Sequence, residues 1–327
     1  MWRKRALQMD FREDAYGAIV DSGSDTSNMY RELAIQMMHE QLPDQPEMWE
    51  KLTPKYNVGC KRIIISDDYY PALSLPNVDL ETRTIHSVSG NAVKVVGENG
   101  EPEDVESDYD LLCCATGFKT LQFLHPIKIT GKNGRPLSEV WGKGAHAYLG
   151  TCVEDMPNFG MLYGPNTNLG HNSIILMIES QSRYINGLIA PVLEARRQGQ
   201  TLGLSPRHDK TEAYNAKVQE VLKSSSFADP TCNSWYKNEA GLITNNWSGT
   251  VVEYQKLLSN VNYDDYEADG SGKNIVQQKP VRKLGRVVEE TQVSNMALLA
   301  LGAVSTAALV GGFLMRNSKH LSALRVR

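Results

Sequence analysis

Two adjacent cations, Lys61 and Arg62, are the side chains of this sequence best suited to chemistry on an anionic ligand. They stand before a short apolar run, residues 63–65, which predicts a buried strand. The start of a strand is a common place for functional groups. Lysine offers a compact point charge, whereas the guanidinium of arginine keeps its charge at any physiological pH. The alternative is a basic pair on a solvated surface, which is the usual setting of such side chains.

A second candidate is a glycine-bounded polar loop, residues 164–170. A strand is predicted before it, at 159–163, and Asn172 or Ser173 can cap the long helix predicted over residues 174–198. A strand, a glycine loop and a helix N-terminus in this order suit an electron-rich group, because the first helical amides point toward it. The alternative is a purely structural connection between a strand and a helix.

A third stretch, residues 110–118, reads Asp-Leu-Leu-Cys-Cys-Ala-Thr-Gly-Phe. Its apolar run, 111–114, predicts a strand that is buried on both faces, as in a parallel sheet. Gly117 ends the strand where the backbone turns tightly or lies close to a ligand. A core strand that leaves the sheet without touching any ligand is the alternative for this stretch.

All three stretches resemble segments of class B flavin-dependent monooxygenases, the group that contains the Baeyer–Villiger enzymes. Residues 110–118 resemble the strand that ends the family's NADPH domain. Residues 59–62 resemble its Gly-x-Lys-Arg segment, and Asp-Tyr-Tyr follows at 68–70. Residues 156–173 resemble the segment that carries its flavin-side loop. The resemblance extends from about residue 28 to residue 260, which is most of the chain.

The resemblance implies an α/β fold: a partial two-dinucleotide-binding-domain flavoprotein, Rossmann-like, that uses FAD and NADPH. It implies that Lys61 contacts the 2′-phosphate of NADPH and that Arg62, the catalytic residue, lies over the flavin. The other cofactor-binding residues that it implies lie in the two stretches described above: Asp110, Ala115, Thr116, Gly117, Phe118, Gly164, Pro165, Asn166, Gly170, His171 and Asn172.

The implied activity is the insertion of one oxygen atom from O2 into a ketone, or the oxidation of a heteroatom. In the family, NADPH reduces FAD, and O2 adds to give a C4a-peroxyflavin that attacks the small-molecule substrate. A positive charge that never deprotonates is suited to stabilising the peroxide, which is the role implied for Arg62.

The family also has two Gly-x-Gly-x-x-Gly turns that bind the pyrophosphates of its cofactors, and these 327 residues contain neither. The sequence therefore resembles the C-terminal half of such an enzyme. Residues 1–118 are expected to be the end of the NADPH domain, and 119–261 the second segment of the FAD domain. A truncated monooxygenase is one interpretation. The alternative is a non-catalytic, membrane-anchored remnant that acts by protein interaction.

The elements around these stretches follow from periodicity and capping. Helices are predicted over 28–41, 46–52 and about 210–223, and β-structure over 76–109. The aromatic residues near the end of the resemblance are expected to pack in the core rather than to contact a ligand: Trp235, Trp247 and Tyr254.

The net charge and the cysteine content limit which partners, metal sites and cellular compartment are expected for the chain. The 38 acidic residues outnumber the 34 basic ones, giving a net charge of −4, and no basic patch indicates nucleic acid. The five cysteines show neither a CxxC motif nor a Cys/His spacing. Their odd number argues against a disulfide framework, and their spacing against a metal site, so a reducing compartment is expected.

The C-terminal part reads as a linker, 262–295, followed by twenty uncharged residues, 296–315, and a basic tail, 316–327. The uncharged run is long enough to predict one transmembrane helix, and hence a membrane protein with a single-pass C-terminal anchor and its bulk in the cytosol. A buried core helix is the alternative. Small residues spaced four apart in the run are a weak sign of helix association, so a homo-oligomer is one further partner considered. A missing N-terminal half is the other, because both phosphate-binding turns are absent.

Overall fold

The computed structural model describes residues 16–64, 66–105 and 109–286, and the structural statements below concern these residues. The α-helices are α1 (Tyr16–Val20), α2 (Asp25–Gln41), α3 (Pro46–Leu52), α4 (Tyr69–Leu73), α5 (Leu137–Val140), α6 (Ile174–Arg197), α7 (His208–Lys223), α8 (Val251–Leu257) and α9 (Asn274–Gln277). The strands are β1 (Ile85–Ser89), β2 (Ala92–Val96), β3 (Pro102–Asp104), β4 (Gly203–Pro206), β5 (Asn260–Asn262), β6 (Tyr266–Asp269) and β7 (Val281–Lys283).

The predicted helices are present, with small changes at their starts. Helix α2 begins earlier than expected, because the side chain of Ser24 accepts a hydrogen bond from the Ser27 amide at 3.2 Å and caps it there. Helix α6 begins after Ser173, as predicted, although the Ser173 side chain makes no capping hydrogen bond. Gly199 then reverses the chain with a φ of 70°.

Every named strand pairs antiparallel with its neighbours. The strands β1, β2 and β3 form a meander in which Val95 of β2 is fully buried, β4 pairs with β6, and β5 pairs with β7. A single parallel contact among the described residues is the isolated bridge between Asn168 and Asn246.

The strands that the sequence predicts at 63–65, 111–114 and 159–163 are not formed in the described residues, and Ile65 lies outside them. The prediction that 111–114 is buried is wrong, since Leu111 is 77% exposed and Leu112 is 56% exposed. A parallel strand needs a hydrogen-bonded neighbour and cover on both faces. The described residues supply neither to 63–64 and 111–114, whereas in 159–163 Met161 is buried but no strand neighbour pairs with the run.

Helix α6 organises the packing behind the predicted flavin loop. The Tyr184 hydroxyl lies 2.9 Å from the Tyr266 hydroxyl, and the Gln181 side-chain amide donates to the Tyr254 hydroxyl at 2.9 Å. A separate cluster packs in front of these residues: Leu137, Val140, Ala147, Val153, Met156 and Met161. Four of the six cluster residues belong to the stretch 147–171, which contains the glycine loop.

The prediction that residues 262–295 are a linker is wrong for the part that the structure describes. Strand β6 pairs with β4 over Tyr266–Asp269, and the Tyr263 hydroxyl donates to the Gly187 carbonyl of α6 at 2.8 Å. The acidic and basic composition suggested a solvated tether. The tyrosines of this stretch instead bury their rings against α6.

The transmembrane helix included in the predicted fold class also needs correction. No helix among the described residues is both long and apolar enough to cross a bilayer. The longest, α6, carries charged residues such as Glu179, Arg183 and Glu194, which are costly in hydrocarbon. The predicted span, 296–315, lies outside the described residues. The described residues thus retain the predicted α/β fold, and the predicted membrane helix and membrane localisation are withdrawn.

Candidate functional site

The candidate site is centred on Arg62, which lies beside two phenols, Tyr163 and Tyr236. Burial raises the pKa of both phenols, and the Arg62 charge opposes that rise in each case. Both phenols are therefore neutral near pH 7, so they leave the positive charge of Arg62 uncompensated. Because Tyr163 directly precedes Gly164, the predicted arginine is close enough to the predicted glycine loop for its charge to act there.

The glycine loop packs closely against the main chain of neighbouring segments. A Cβ atom at Gly164 would lie 2.4 Å from the Gly150 carbonyl oxygen, so only glycine fits at this position. The Asn166 side-chain amide donates to the carbonyls of Ile243 and Asn246 at 2.6 and 2.9 Å. Asn166 is 2% exposed, which gives it a structural role in fixing the loop to residues 243–247.

One loop side chain, which is bonded to Tyr163, keeps an unused donor. The Asn168 Oδ1 atom accepts from the Tyr163 hydroxyl at 2.9 Å. The Asn168 Nδ2 atom is buried and has no hydrogen-bond partner among the described residues. Leaving a buried amide N–H unpaired costs about 1–3 kcal/mol, so a polar ligand atom at this point is favoured.

We call residues 147–171 and 243–258 the closed scaffold, because their polar groups pair mainly within it. The Tyr254 hydroxyl donates to the Leu149 carbonyl at 2.7 Å, and the Asn168 amide donates to the Asn245 carbonyl at 3.0 Å. Of the predicted cofactor-binding residues in the loop, Gly164, Pro165 and Asn166 are buried. Gly170, His171 and Asn172 are half-buried.

We call residues 61–64 and 109–119 the open segments, because they are exposed. Phe118 is 93% exposed and Ile64 is 75% exposed. All the residues predicted to bind cofactor in the second segment are exposed: Asp110, Ala115, Thr116, Gly117 and Phe118. No described hydrogen bond or ion pair joins the side chains of that segment to Arg62 or to the loop.

Lys61 is exposed and forms no ion pair with a described carboxylate. Its ammonium lies 5.2 Å from the centre of the Tyr56 ring, a cation–π contact that leaves its charge available to solvent or a ligand. The structure therefore does not bring Lys61 into the cluster formed by Arg62, Tyr163 and Tyr236.

The prediction against disulfides is wrong for one pair. Cys60 is bonded to Cys232, with 6.5 Å between their Cα atoms and a sequence separation of 172. Such a pairing cannot be read from cysteine spacing, because the fold brings the two positions together. The other cysteines are free, and of these Cys113 and Cys114 are exposed while Cys152 is buried.

The sequence reasoning missed the aromatic residues of the site. The prediction of core packing holds for Trp247 and Tyr254, which are 9% and 0% exposed, but Trp235 is 43% exposed. Tyr236 is buried beside Arg62 and was assigned no role. The signal is the Ser-Trp-Tyr sequence at 234–236, where the sequence predicts only core packing of Trp235.

A cavity of about 810 Å³ lies elsewhere on the described surface, and its lining includes His146, Glu154, His208 and Glu212. Of the predicted site residues it includes Asn166 but not Arg62. We centre the candidate site on Arg62, because a fixed charge, two neutral phenols and a free amide donor meet there.

Comparison with known proteins shows several relatives at the sequence level. The FAD-binding monooxygenase ktnD of Aspergillus niger is 49% identical over 297 residues, which are 91% of this chain and 48% of the relative. A Baeyer-Villiger monooxygenase of Streptomyces coelicolor is 36% identical over 226 residues, covering 68% of this chain and 41% of the relative. The chain thus spans about half the length of the relatives it matches. No family model matches it.

Solved structures with a similar fold include a crystal structure of OTEMO in complex with FAD and NADP. It has a TM-score of 0.63 at 23% identity, over 76% of this chain and 45% of that one. A closed crystal structure of cyclohexanone monooxygenase has a TM-score of 0.61 at 23% identity, over 76% and 46% of the two chains. These likenesses confirm the α/β fold inferred from the sequence.

Proposed function

We propose, on the premise that this chain is a relative of class B flavin-dependent monooxygenases of the Baeyer–Villiger type, that it forms part of an FAD- and NADPH-dependent monooxygenase. Its substrate class is a ketone or a molecule with an oxidisable heteroatom. The observation that carries the proposal is that the Arg62 charge acts on Tyr163, the residue directly before the glycine loop. Two motifs that are distant in the sequence thereby form one site.

The described residues fit a flavin. Its pyrimidine ring presents both carbonyl oxygens and an N–H group, which can pair with amide groups such as the free Asn168 Nδ2. The N-terminus of α6 follows the loop, and its first amides lack a side-chain cap. An electron-rich ring edge at the loop would therefore find donors that the chain does not otherwise use.

When bound, the flavin supplies electron transfer from NADPH to O2, from which one oxygen atom reaches the substrate. Arg62 holds a positive charge that stabilises the negative charge developing on oxygen in the site. Tyr163 and Tyr236 stay protonated beside it because burial raises their pKa, so they do not neutralise the guanidinium. Asn168 orients Tyr163 through its Oδ1 atom.

For Lys61 we propose contact with the 2′-phosphate of NADPH. The support is its exposed ammonium next to Arg62, with no described carboxylate pairing it. A compact point charge suits a phosphate. The competing interpretation is a solvated surface lysine, and the preference for NADPH over NADH separates the two.

A second candidate is a non-catalytic protein that acts by binding another polypeptide. It is favoured by the open segments, where Leu111, Phe118 and Ile64 expose apolar side chains. We propose that a polypeptide carrying the phosphate-binding turns covers these side chains, which joins both candidates: the chain binds that polypeptide, and the assembly is the enzyme.

The test is complementation. The full chain is fused to, or coexpressed with, the part of the Aspergillus niger relative that lies outside its match to this chain. We expect a yellow FAD-containing product that consumes NADPH and transfers one atom of ¹⁸O2 to cyclohexanone or methyl phenyl sulfide, as seen by mass spectrometry. The chain alone and the partner half alone are the controls.

A folded, flavin-loaded assembly that oxidises NADPH without placing ¹⁸O in any of a panel of ketones and sulfides would contradict the monooxygenase proposal. A tight assembly that neither binds FAD nor consumes NADPH would favour the non-catalytic candidate instead.

A further inference from the structure

Residues 57–62, which lead into Arg62, run along a second segment that is distant in sequence, residues 229–236. The Asn57 amide donates to the Asp229 carboxylate at 2.8 Å, and Cys60 is bonded to Cys232. Tyr236, on the same segment, lies beside Arg62. We call these two segments together the clamp.

The 229–236 side of the clamp is itself firmly held. The Asp229 carboxylate also accepts from the amide and hydroxyl of Thr231 at 2.8 and 2.6 Å. The Lys237 ammonium donates to the Asp229 carbonyl at 2.6 Å. Tyr236 is fixed by its neighbours, with its ring centre 5.3 Å from that of Phe227. This segment can therefore act as a support for the other.

The 57–62 side is pressed closely against its surroundings at Gly59. The residue has a φ of 83°, and a Cβ atom there would lie 2.7 Å from the Ile19 side chain. Cys60 follows with 0% exposure, and its partner Cys232 has 2%. Immediately afterwards the chain emerges, because Lys61 and Arg62 are exposed. The disulfide is thus the last buried attachment before the cationic pair.

We propose that the clamp positions Arg62 in the candidate site and that Cys60–Cys232 is its reducible link, which makes the oxygenation step sensitive to thiols. Tyr236 is the positioning residue on the opposite segment. The proposal rests on the proposed role of Arg62. In the oxidised chain, the link fixes the backbone one residue before Lys61, and Arg62 stays at the two phenols.

Reduction requires a dithiol from outside the chain, and because Cys60 and Cys232 are buried, the dithiol reaches the bond when the clamp opens locally. The dithiol donates two electrons and two protons to the sulfur–sulfur bond and becomes a disulfide, while Cys60 and Cys232 become thiols. Residues 57–62 then keep only the Asn57–Asp229 hydrogen bond and the contacts of Arg62, each of which stabilises the segment weakly. Local opening of the clamp therefore becomes far more frequent without unfolding of the rest.

The first experiment uses the full chain without cofactors, before and after treatment with dithiothreitol. Trypsin cleavage after Lys61 and Arg62 is followed by mass spectrometry, together with hydrogen exchange of the amides at 58–64. We expect reduction to raise the cleavage rate at these two positions roughly tenfold or more, while most other sites change little. The double variant Cys60→Ser/Cys232→Ser should behave like the reduced chain without any reductant.

The matched control is Cys113→Ser/Cys114→Ser, which removes two exposed free thiols and should respond to dithiothreitol as the parent does. Unchanged cleavage and exchange at 58–64 on reduction would overturn the proposal. So would a native chain, purified without reductant, that titrates five free thiols after unfolding. Because no cofactor takes part, these results stand apart from the fate of the proposed function.

The second experiment uses the complemented assembly and measures product formed per NADPH consumed. We expect dithiothreitol, and separately Tyr236→Phe, to lower this ratio while FAD content and NADPH oxidation persist. A merely structural role would lower FAD content or both rates together. If cleavage responds to reduction but the ratio does not, the clamp is reducible without positioning Arg62, and the proposal fails on that point.

Discussion

The closed scaffold and the open segments differ in where their chain finds its partners. In the closed scaffold, Tyr254 has 0% exposure and its hydroxyl is bonded to both Leu149 and Gln181. In the open segments, Phe118 is 93% exposed and Leu111 is 77% exposed. Both regions belong to the same family resemblance, so the difference does not lie in how well their motifs are recognised.

This difference indicates that the part of the candidate site in the closed scaffold is formed by this chain alone, whereas the part in the open segments is not. The glycine loop is built from contacts within residues 147–171 and 243–258, so this chain can shape it alone. The apolar side chains of 109–119 have no described cover, and burying a Leu or Phe side chain contributes about 1.5–3 kcal/mol. Their final conformation therefore depends on a surface that the described residues do not supply.

The largest expected effect comes from removing the same side chain in each region. Tyr254→Ala should lower the free energy of unfolding by about 3–5 kcal/mol, because it leaves a cavity and strands the partners of a buried hydroxyl. Tyr109→Ala, where the ring is 42% exposed, should change it by less than about 0.5 kcal/mol. Urea unfolding of both variants against the parent measures the two values. Equal decreases in the free energy of unfolding for the two variants would contradict the distinction between the closed scaffold and the open segments.

A much smaller effect is expected at the rim of the closed scaffold, from His208. Its Nδ1 atom lies 2.6 Å from Glu154, and this hydrogen bond raises the pKa of His208 above 6.5. The raised pKa means that the folded state binds the proton more tightly, so the stabilisation is complete below the unfolded pKa. It is lost as the pH rises through the folded pKa.

His208→Gln should accordingly cost more stability at pH 5.5 than at pH 8.5. The side chain is 67% exposed, so screening limits the difference to a few tenths of a kcal/mol. Urea unfolding at the two pH values measures it, with His86→Gln as the control, since His86 is exposed and its described partner is a serine hydroxyl. A greater cost at pH 8.5 would contradict the assignment.

The sequence was a good guide where the structure-forming signal is local. The 3.6-residue periodicity and the capping residues predicted α6 closely, and the alternation over 92–96 predicted β2. The strand predicted at 111–114 is not formed, for a physical reason. An apolar run of this kind forms a strand only when neighbours cover both of its faces, and no described strand pairs with it.

The site was predictable only in part for a related reason. The motifs identified Arg62 and the glycine loop, but they did not show that Tyr163 and Tyr236 flank the guanidinium. The Cys60–Cys232 bond and the Asn57–Asp229 hydrogen bond join positions whose pairing exists only after folding. Such contacts carry no periodic or capping signal, so the clamp could not be found before the structure.

The measurement that tests the central claim most directly compares Arg62→Ala with Lys61→Ala in the complemented assembly. Stopped-flow absorbance follows flavin reduction by NADPH and by NADH, and mass spectrometry follows ¹⁸O in the product. Arg62→Ala should keep FAD and its reduction but lose product formation by on the order of a hundred- to thousand-fold, because the stabilising charge is gone. Lys61→Ala should weaken NADPH and spare NADH. Product formation at the parent rate in Arg62→Ala would contradict the account.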